Sequence, residues 1–161
     1  MTDWMQRFFD VIIFWWDAYH MLIQFIRSIK PVAEKTALVM IGGGLGALTR
    51  YSVGIFAGKF IGIRFPYGTL IVNLAGCFLI GVFFALFEKT SWPGPSARLF
   101  LMTGFLGALT TFSTYALETF VSIRSGTFSA AALNFLLNNV LGLCLVIAGI
   151  WLVKLMITPT P

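Results

Sequence analysis

The hydrophobic positions of this chain form four long stretches, and short polar segments separate them. Each stretch reaches about 20 predominantly apolar residues, the length that an α-helix needs to cross the hydrocarbon core of a bilayer. We predict four membrane-spanning helices, at residues 36–58, 67–88, 98–121 and 129–154. Because the connections are short, consecutive helices are expected to be antiparallel neighbours. The predicted architecture is an all-α membrane domain over residues 33–161.

Residues 1–32 show a different pattern, in which polar side chains recur at helical spacing among aromatic ones. Asp10 and Asp17 fall on one part of a helical wheel, and Trp15 falls opposite them. We predict an amphipathic helix that lies in the membrane interface, on lipid, and ends at Pro31. A fifth span that tolerates buried aspartate is the alternative.

The composition agrees with a membrane protein and excludes several other classes. Hydrophobic residues make up 58% of the 161 residues and charged residues only 11%, far from the composition of soluble domains. The formal charge of +5 is spread over the ends of the spans, so we expect lipid headgroups and not nucleic acid as its partners. Cys77 and Cys144 fall in different spans, and we expect neither a disulfide nor a metal site there. No set of nucleophile, base and acid emerges, so we do not predict an enzyme.

Basic residues are divided almost evenly between the two sides of a four-span arrangement. Five fall on one side and three on the other, leaving out the first 29 residues and the interiors of the spans. They are Lys30, Lys35, Lys89, Arg98 and Lys154 on the first side, and Lys59, Arg64 and Arg124 on the second. This bias is weak, so it is compatible with insertion in either direction.

The third stretch carries more polarity than a lipid-facing helix needs. Its segment "GALTTFSTYALE" places five hydroxyl groups between Thr110 and Tyr115 and a carboxylate at Glu118. Gly104 and Gly107 loosen the helix just before them. Membrane helices tolerate a break only where it is buried or beside water, and hydroxyls can satisfy the freed backbone groups. We therefore predict a broken third helix at a functional centre, where carbonyls could hold a cation, or N–H groups and hydroxyls an anion.

Asparagines supply the polar side chains of the second and fourth stretches. Asn73 lies at depth in the second, with Thr69 one helical turn before it. Asn134 and Asn138 are one turn apart on one face of the fourth stretch, whereas Asn139 points elsewhere. A single asparagine often joins two helices by a hydrogen bond, but a pair that faces Asn73 favours a polar track along which something moves.

Glycines and one arginine mark the first stretch, "IGGGLGALTRY". A dinucleotide-binding loop needs a strand before such glycines and an acidic residue about twenty positions later, and neither is present. Gly42 and Gly46 instead form a small-xxx-small pair, which favours close helix approach. Arg50 either braces the helix end or supplies a fixed positive charge that attracts anions to a vestibule.

Three motifs together resemble those of the Fluc (CrcB) family of bacterial fluoride channels. They are "GGGLGALTRY", "GTLIVNLAG" and "GFLGALTTFSTYALE", in the order and spacing of that family, and the resemblance covers about residues 36–155. The resemblance implies an antiparallel, dual-topology homodimer with two fluoride pathways along the subunit interface. It also implies a structural sodium ion at the dimer centre, held by the backbone carbonyls of Gly107 and Thr110.

The resemblance assigns further roles to single residues. Asn73 matches the pore asparagine of the family, Phe112 and Tyr115 match its two pore aromatics, and Arg50 matches the arginine of its first motif. Residues on family positions along the polar path or at its mouth are Thr69, Ser113, Thr114 and Glu118. The second aromatic is typically Phe in the family, so Tyr115 is a departure, and the N-terminal helix is an addition.

The function that the resemblance implies is passive, selective export of cytoplasmic fluoride through a multi-pass protein of the bacterial inner (plasma) membrane. Asn134 and Asn138 would extend the fluoride path. A proton-coupled transporter of small molecules or fluoride is one alternative, and it would need a carboxylate within the membrane, for which Glu118 is the candidate in the third and fourth helices. A non-conducting membrane scaffold, in which the asparagines only pack, is another.

Overall fold

The computed structural model describes residues 3–90 and 94–157, and every regular element in those ranges is helical. Four stretches are long and apolar enough to cross a membrane: Ile13–Phe60, Tyr67–Lys89, Pro95–Arg124 and Phe128–Ile157. The prediction of four long apolar helices is confirmed, although the first is longer than expected. Residues 1–2 of the predicted N-terminal helix, residues 91–93 of the second connection and residues 158–161 lie outside the described residues.

The helices follow one another with short connections. In chain order the elements are α1 (Asp3–Phe60), α2 (Tyr67–Lys89), α3 (Pro95–Arg98), a π-helical segment (Leu99–Leu106), α4 (Gly107–Leu109), α5 (Phe112–Arg124), α6 (Phe128–Leu136), a second π-helical segment (Leu137–Leu141) and α7 (Gly142–Ile157). Two connections contain a glycine with positive φ, Gly62 at 113° and Gly126 at 78°. Only glycine adopts this conformation without strain, so these positions fix the turns.

Helix α1 runs through Pro31 without a break, so the prediction that the N-terminal helix ends there is wrong. A proline inside a helix lacks the amide hydrogen and crowds the carbonyl four residues earlier, here that of Arg27. Both residues are exposed, so the freed carbonyl can bond to water or lipid headgroups. The nearby Lys30, Ala33 and Glu34 are good helix formers. Since one crossing takes about 20 residues, a single crossing leaves much of this 58-residue helix outside the hydrocarbon core.

The chain divides into two units within α1, between Ala37 and Leu38. The first unit is the N-terminal part of α1, whose described side chains are mostly exposed. The second unit holds the rest of α1 and all later helices, which pack against one another. The boundary expected from the sequence, between residues 32 and 33, lies slightly earlier in the chain.

Glycines bring the helices of the second unit into backbone contact. A Cβ on Gly42 or Gly46 of α1 would overlap a carbonyl oxygen of the first π-helical segment. A Cβ on Gly81 of α2 or on Gly149 of α7 would likewise overlap a backbone carbonyl oxygen of the other helix. Close backbone approach between small residues is how membrane helices associate without a hydrophobic driving force. The small-xxx-small interpretation of the first stretch therefore agrees with this packing.

Two residues with extended backbone divide the third span. Thr110 (φ −86°, ψ 153°) follows α4, and Thr111 (φ −148°, ψ 117°) precedes α5. Just before them, Leu106 and Leu109 are buried against Val72 of α2. This apolar cluster anchors the chain as it enters the interruption and so places the polar residues that follow.

Candidate functional site

Asn73 of α2 lies beside the extended residues of the third span and bonds to their backbone. Its Oδ1 accepts a hydrogen bond from the Thr111 amide at 2.9 Å, and its Nδ2 donates to the Thr111 carbonyl at 3.2 Å. A side-chain amide can satisfy a backbone N–H and a backbone C=O at the same time. Asn73 therefore replaces bonds that a continuous helix would have made at this point.

The asparagines form a connected chain of hydrogen bonds. Asn73 Nδ2 donates to Asn138 Oδ1 at 2.8 Å, and Asn138 Nδ2 donates to Asn134 Oδ1 at 2.9 Å and to its carbonyl at 3.0 Å. Asn134, which is completely buried, donates to Thr119 Oγ1 at 2.9 Å. Thr119 in turn donates to the Tyr115 carbonyl at 2.8 Å. The structure thus brings together the three asparagines that the sequence grouped, in one continuous polar line.

An open groove of about 310 Å³ borders this line. The rings of Phe112 and Tyr115 both line it, with their centroids 5.5 Å apart and their planes at 64°. Phe112 is 76% exposed, whereas Tyr115 is only 6% exposed. The groove is lined by side chains of α2, the third span and the fourth span, among them Asn73, Cys77, Met102, Asn138 and Asn139.

Thr111 also caps the helix that follows the interruption. Its Oγ1 accepts a hydrogen bond from the Thr114 amide at 3.3 Å and donates to Thr114 Oγ1 at 3.1 Å. The Ser113 hydroxyl lies 3.3 Å away from the same oxygen. A threonine at the N-cap position supplies the acceptor that the first turn of a helix lacks. Ser113 and Thr114 themselves are exposed, so they remain accessible to a ligand.

Two backbone carbonyls at the interruption lose the amides that would bond to them in a continuous helix. For Gly107 the helical partner would be the Thr111 amide, which donates to Asn73. For Thr110 it would be the Thr114 amide, which donates to the Thr111 side chain. Gly107 and Thr110 both border the groove. Carbonyl oxygens released in this way are the ligands that a hard cation takes.

The remaining charged and hydroxyl residues lie around two further cavities. Thr69 Oγ1 donates to Glu118 Oε1 at 2.7 Å, and both residues line a cavity of about 620 Å³. The second oxygen of Glu118 is buried and has no hydrogen-bond partner within residues 3–90 and 94–157. Arg50 lines another cavity of about 340 Å³ together with Thr69 and Thr114. Thr69 therefore lines both cavities, one together with Arg50 and the other together with Glu118.

Comparison with known proteins identifies the family. Residues 37–150 match the sequence model described as "CrcB-like protein, Camphor Resistance (CrcB)". The chain belongs to the CrcB family. The resemblance seen in the three motifs is thereby confirmed, and the matched range begins next to the division between Ala37 and Leu38.

Curated relatives within the CrcB family carry a functional name. The "Fluoride-specific ion channel FluC" of Nitrobacter winogradskyi is 45% identical over 117 residues, which are 72% of this chain and 92% of that protein. The proteins of the same name from Legionella pneumophila (strain Lens) and Desulforapulum autotrophicum are 47% and 41% identical, over 72% and 76% of this chain and 87% and 98% of their own lengths.

Three contributors to this CrcB-family site were missed in the sequence. Thr111 and Thr119 were not singled out, although each lies four residues or fewer from a residue that was. Asn139, set apart from the other asparagines, donates from Nδ2 to the Tyr115 hydroxyl at 2.7 Å. The sequence did contain one signal for Asn139. Tyr115 has a hydroxyl where the family typically has a phenylalanine, and a tyrosine hydroxyl needs a hydrogen-bond partner when its ring is buried.

Proposed function

We propose that this chain forms a passive, fluoride-selective channel. The observation that carries the proposal is the groove at the interrupted third span, where the amides of Asn73 and Asn138 and the rings of Phe112 and Tyr115 converge. The relatives named as fluoride-specific channels support the ion assignment. The chain is accordingly a channel and not an enzyme.

Fluoride is small and strongly hydrated, so a selective path must replace its water with other donors and still release it. Amide N–H groups, hydroxyls and the positive edges of aromatic rings are such donors. We assign Asn73, Asn138, Phe112 and Tyr115 to the path, and Asn134 to the line that supports it. The exposed hydroxyls of Ser113 and Thr114 in the third span extend the polar surface, and the half-buried hydroxyl of Thr69 in α2 adds to it.

Arg50 and Glu118 set the charge near the mouth of the path. Arg50 has no carboxylate partner within the described part of the chain, so its field is not cancelled by an adjacent ion pair. An unpaired guanidinium raises the local concentration of anions. The carboxylate of Glu118 accepts a hydrogen bond from the Thr69 hydroxyl and so orients it.

We propose that the interruption is the broken third helix expected from the family resemblance and that an antiparallel, dual-topology homodimer completes the path. In a single subunit the groove is open, and Phe112 lies exposed at its edge. A second copy related by a two-fold axis would cover it and supply the same residues from the other side. The five-to-three division of basic residues agrees with a chain that inserts in both orientations.

A sodium ion at the centre of this dimer fits the residues present. The carbonyls of Gly107 and Thr110 have lost their helical partners, as described above, and would contribute one pair of oxygens per subunit. The cation would supply a fixed positive charge that stabilises the assembly. If so, replacing sodium by a large organic cation should lower dimer stability, and sodium should restore it; equal thermal stability in both solutions would contradict the assignment.

For the N-terminal part of α1 we propose an amphipathic helix on the lipid interface. Trp15, Trp16 and Tyr19 are all exposed there, and Trp and Tyr rings concentrate at the level of the lipid headgroups. The location that follows for the whole chain is the inner membrane of a bacterium. Hydrogen fluoride enters such a cell as a neutral acid and ionises inside, so a passive channel exports the anion down its electrochemical gradient.

One observation favours a second candidate function. One oxygen of Glu118 has no partner among the described residues, and a buried carboxylate of this kind within a span is what proton-coupled transport needs. The two candidates differ in their response to a proton gradient. A coupled transporter would move fluoride uphill when a pH gradient is imposed, whereas a channel would only follow the fluoride gradient and the voltage.

The experiment that tests the channel is ion efflux from liposomes that contain the purified protein. Fluoride release is followed with a fluoride electrode after a potassium ionophore is added, and chloride-loaded liposomes are the control. We expect rapid fluoride release, no chloride release and loss of fluoride release with Asn73→Asp. Equal release of fluoride and chloride, or no fluoride release from dimeric protein, would contradict the proposal.

A further inference from the structure

The Tyr115 hydroxyl differs from the other polar groups of the groove in how its proton is used. Each of the three amide groups that line the groove has an acceptor for both of its hydrogens. Asn73 donates to Thr111 and Asn138, Asn138 donates twice to Asn134, and Asn139 donates to Phe135 and Tyr115. The Tyr115 hydroxyl accepts one of these bonds, and no acceptor for its own proton lies within residues 3–90 and 94–157.

The orientation of the Asn139 amide is fixed by an independent contact. Its Nδ2 lies 2.8 Å from the Phe135 carbonyl oxygen, which can only accept a hydrogen bond. The nitrogen must therefore face that carbonyl, and it donates its second hydrogen to the Tyr115 hydroxyl oxygen, which lies 2.7 Å from the nitrogen. Tyr115 is the acceptor in this pair, so its O–H remains available as a donor.

We infer that the Tyr115 O–H, held in place by Asn139, donates a hydrogen bond to the fluoride ion in the groove. This inference rests on the proposed function and adds a donor of this chain to the path. Asn139 is a positioning residue, because its bond goes to the tyrosine oxygen. The family resemblance does not predict the pair, since the position of Tyr115 is typically a phenylalanine there.

Three features suit the hydroxyl to a small, strongly hydrated anion. The ring of Tyr115 is buried and lies edge-to-face with Phe112, so few orientations are open to it. A hydroxyl that accepts a hydrogen bond becomes a stronger donor, because chains of hydrogen bonds polarise one another. Finally, the amides of Asn73 and Asn138 must give up an existing bond before they can solvate an ion, whereas the hydroxyl need not.

A double-mutant cycle on fluoride efflux tests this inference. The variants are Tyr115→Phe, Asn139→Leu and the two combined, assayed over a range of fluoride concentrations. Loss of one hydrogen bond to the ion should lower efflux at low fluoride by about fivefold to tenfold and raise the fluoride concentration that gives half-maximal efflux. Asn139→Leu should have a similar or smaller effect, and the double variant should be no slower than Tyr115→Phe alone.

The matched control is Tyr19→Phe, the same chemical change in the N-terminal part of α1, where we expect wild-type efflux. Thermal unfolding and dimer elution of every variant separate a loss of structure from a loss of the donor. Wild-type concentration dependence in Tyr115→Phe overturns the inference, as do single-variant effects that multiply in the double variant. If Tyr115→Phe does not assemble, an unchanged half-maximal concentration in Asn139→Leu overturns it instead. A wild-type protein that carries no fluoride overturns the proposed function as well.

Discussion

The two units of this chain differ in how far along the sequence the side-chain hydrogen bonds of Ser28 and Asn73 reach. In the N-terminal part of α1, the hydrogen bond of Ser28 returns to the Phe25 carbonyl three residues away. In the second unit, Asn73 bonds to Thr111 and Asn138, which are 38 and 65 residues away in the chain. Long-range bonds of this kind exist only if the whole unit folds, and they place polar groups where lipid would exclude them. The difference supports the proposal that the fluoride path lies within the unit that the family match covers.

The first and largest expected effect comes from breaking the long-range bonds. Asn73→Leu removes the groups that hold both the extended backbone and Asn138. We expect fluoride efflux from liposomes to fall by at least 100-fold, because both the donors and the geometry of the interruption are lost.

The matched control for this change is Asn139→Leu, which alters the same groove without touching the interruption. Its loss should be about tenfold at most, the effect of one hydrogen bond. Equal losses in the two variants would show that the groove responds to any apolar substitution and that Asn73 has no special role.

The next effect concerns the close packing of helices in the second unit. Gly42→Ala places a methyl group against the Phe100 carbonyl, a backbone atom that cannot turn away. Such overpacking should cost about 1–3 kcal/mol of stability. Gly44→Ala, two residues along the same helix, meets nothing within 4 Å in the subunit and should unfold like wild type. Thermal unfolding in detergent compares the two, and equal midpoints would contradict the contact.

A smaller effect is expected at the helix cap beside the site. Thr111→Val removes the oxygen that bonds to the Thr114 amide, at a cost of about 1 kcal/mol. Thr110→Val is the control, since it keeps the methyl group that packs on Gly76 and loses only a bond to the Leu106 carbonyl. Chemical or thermal unfolding should rank Thr111→Val as the less stable variant. The reverse order would mean that the cap is not what stabilises the start of α5.

The smallest effect should follow from removal of residues 2–32. The remaining part of α1 still exceeds the length of one membrane crossing, and all contacts of the groove lie in the second unit. Fluoride efflux per dimer should stay within about twofold of wild type, because the truncation removes no residue that lines the groove. A loss of efflux beyond tenfold would show that the two units cooperate in conduction.

The sequence was most informative where local composition decides the structure. Apolar length predicted the four long helices, and the run of hydroxyls around Thr111 marked the region where the backbone leaves the helix. The prediction at Pro31 was wrong because proline usually ends a helix, but an exposed proline can be accommodated inside one.

The partners across helices were harder to predict. A helical wheel assumes 3.6 residues per turn, but the fourth span is π-helical at Leu137–Leu141, where more residues fill each turn. Asn138 and Asn139 therefore lie closer in direction than the wheel places them, and both reach the groove. Bonds such as that of Asn139 to Tyr115 depend on the direction in which each side chain leaves the helix. Sequence spacing alone does not give that direction.

If fluoride passes through the groove at the interrupted third span, a change in the groove lining should block efflux and the same change elsewhere should not. Fluoride efflux from liposomes is measured for wild type, Phe112→Ile and Phe128→Ile, since both phenylalanines are exposed in the subunit but only Phe112 lines the groove. We expect that Phe112→Ile nearly abolishes efflux and that Phe128→Ile leaves it unchanged. Rapid fluoride efflux from a folded, dimeric Phe112→Ile protein would contradict it.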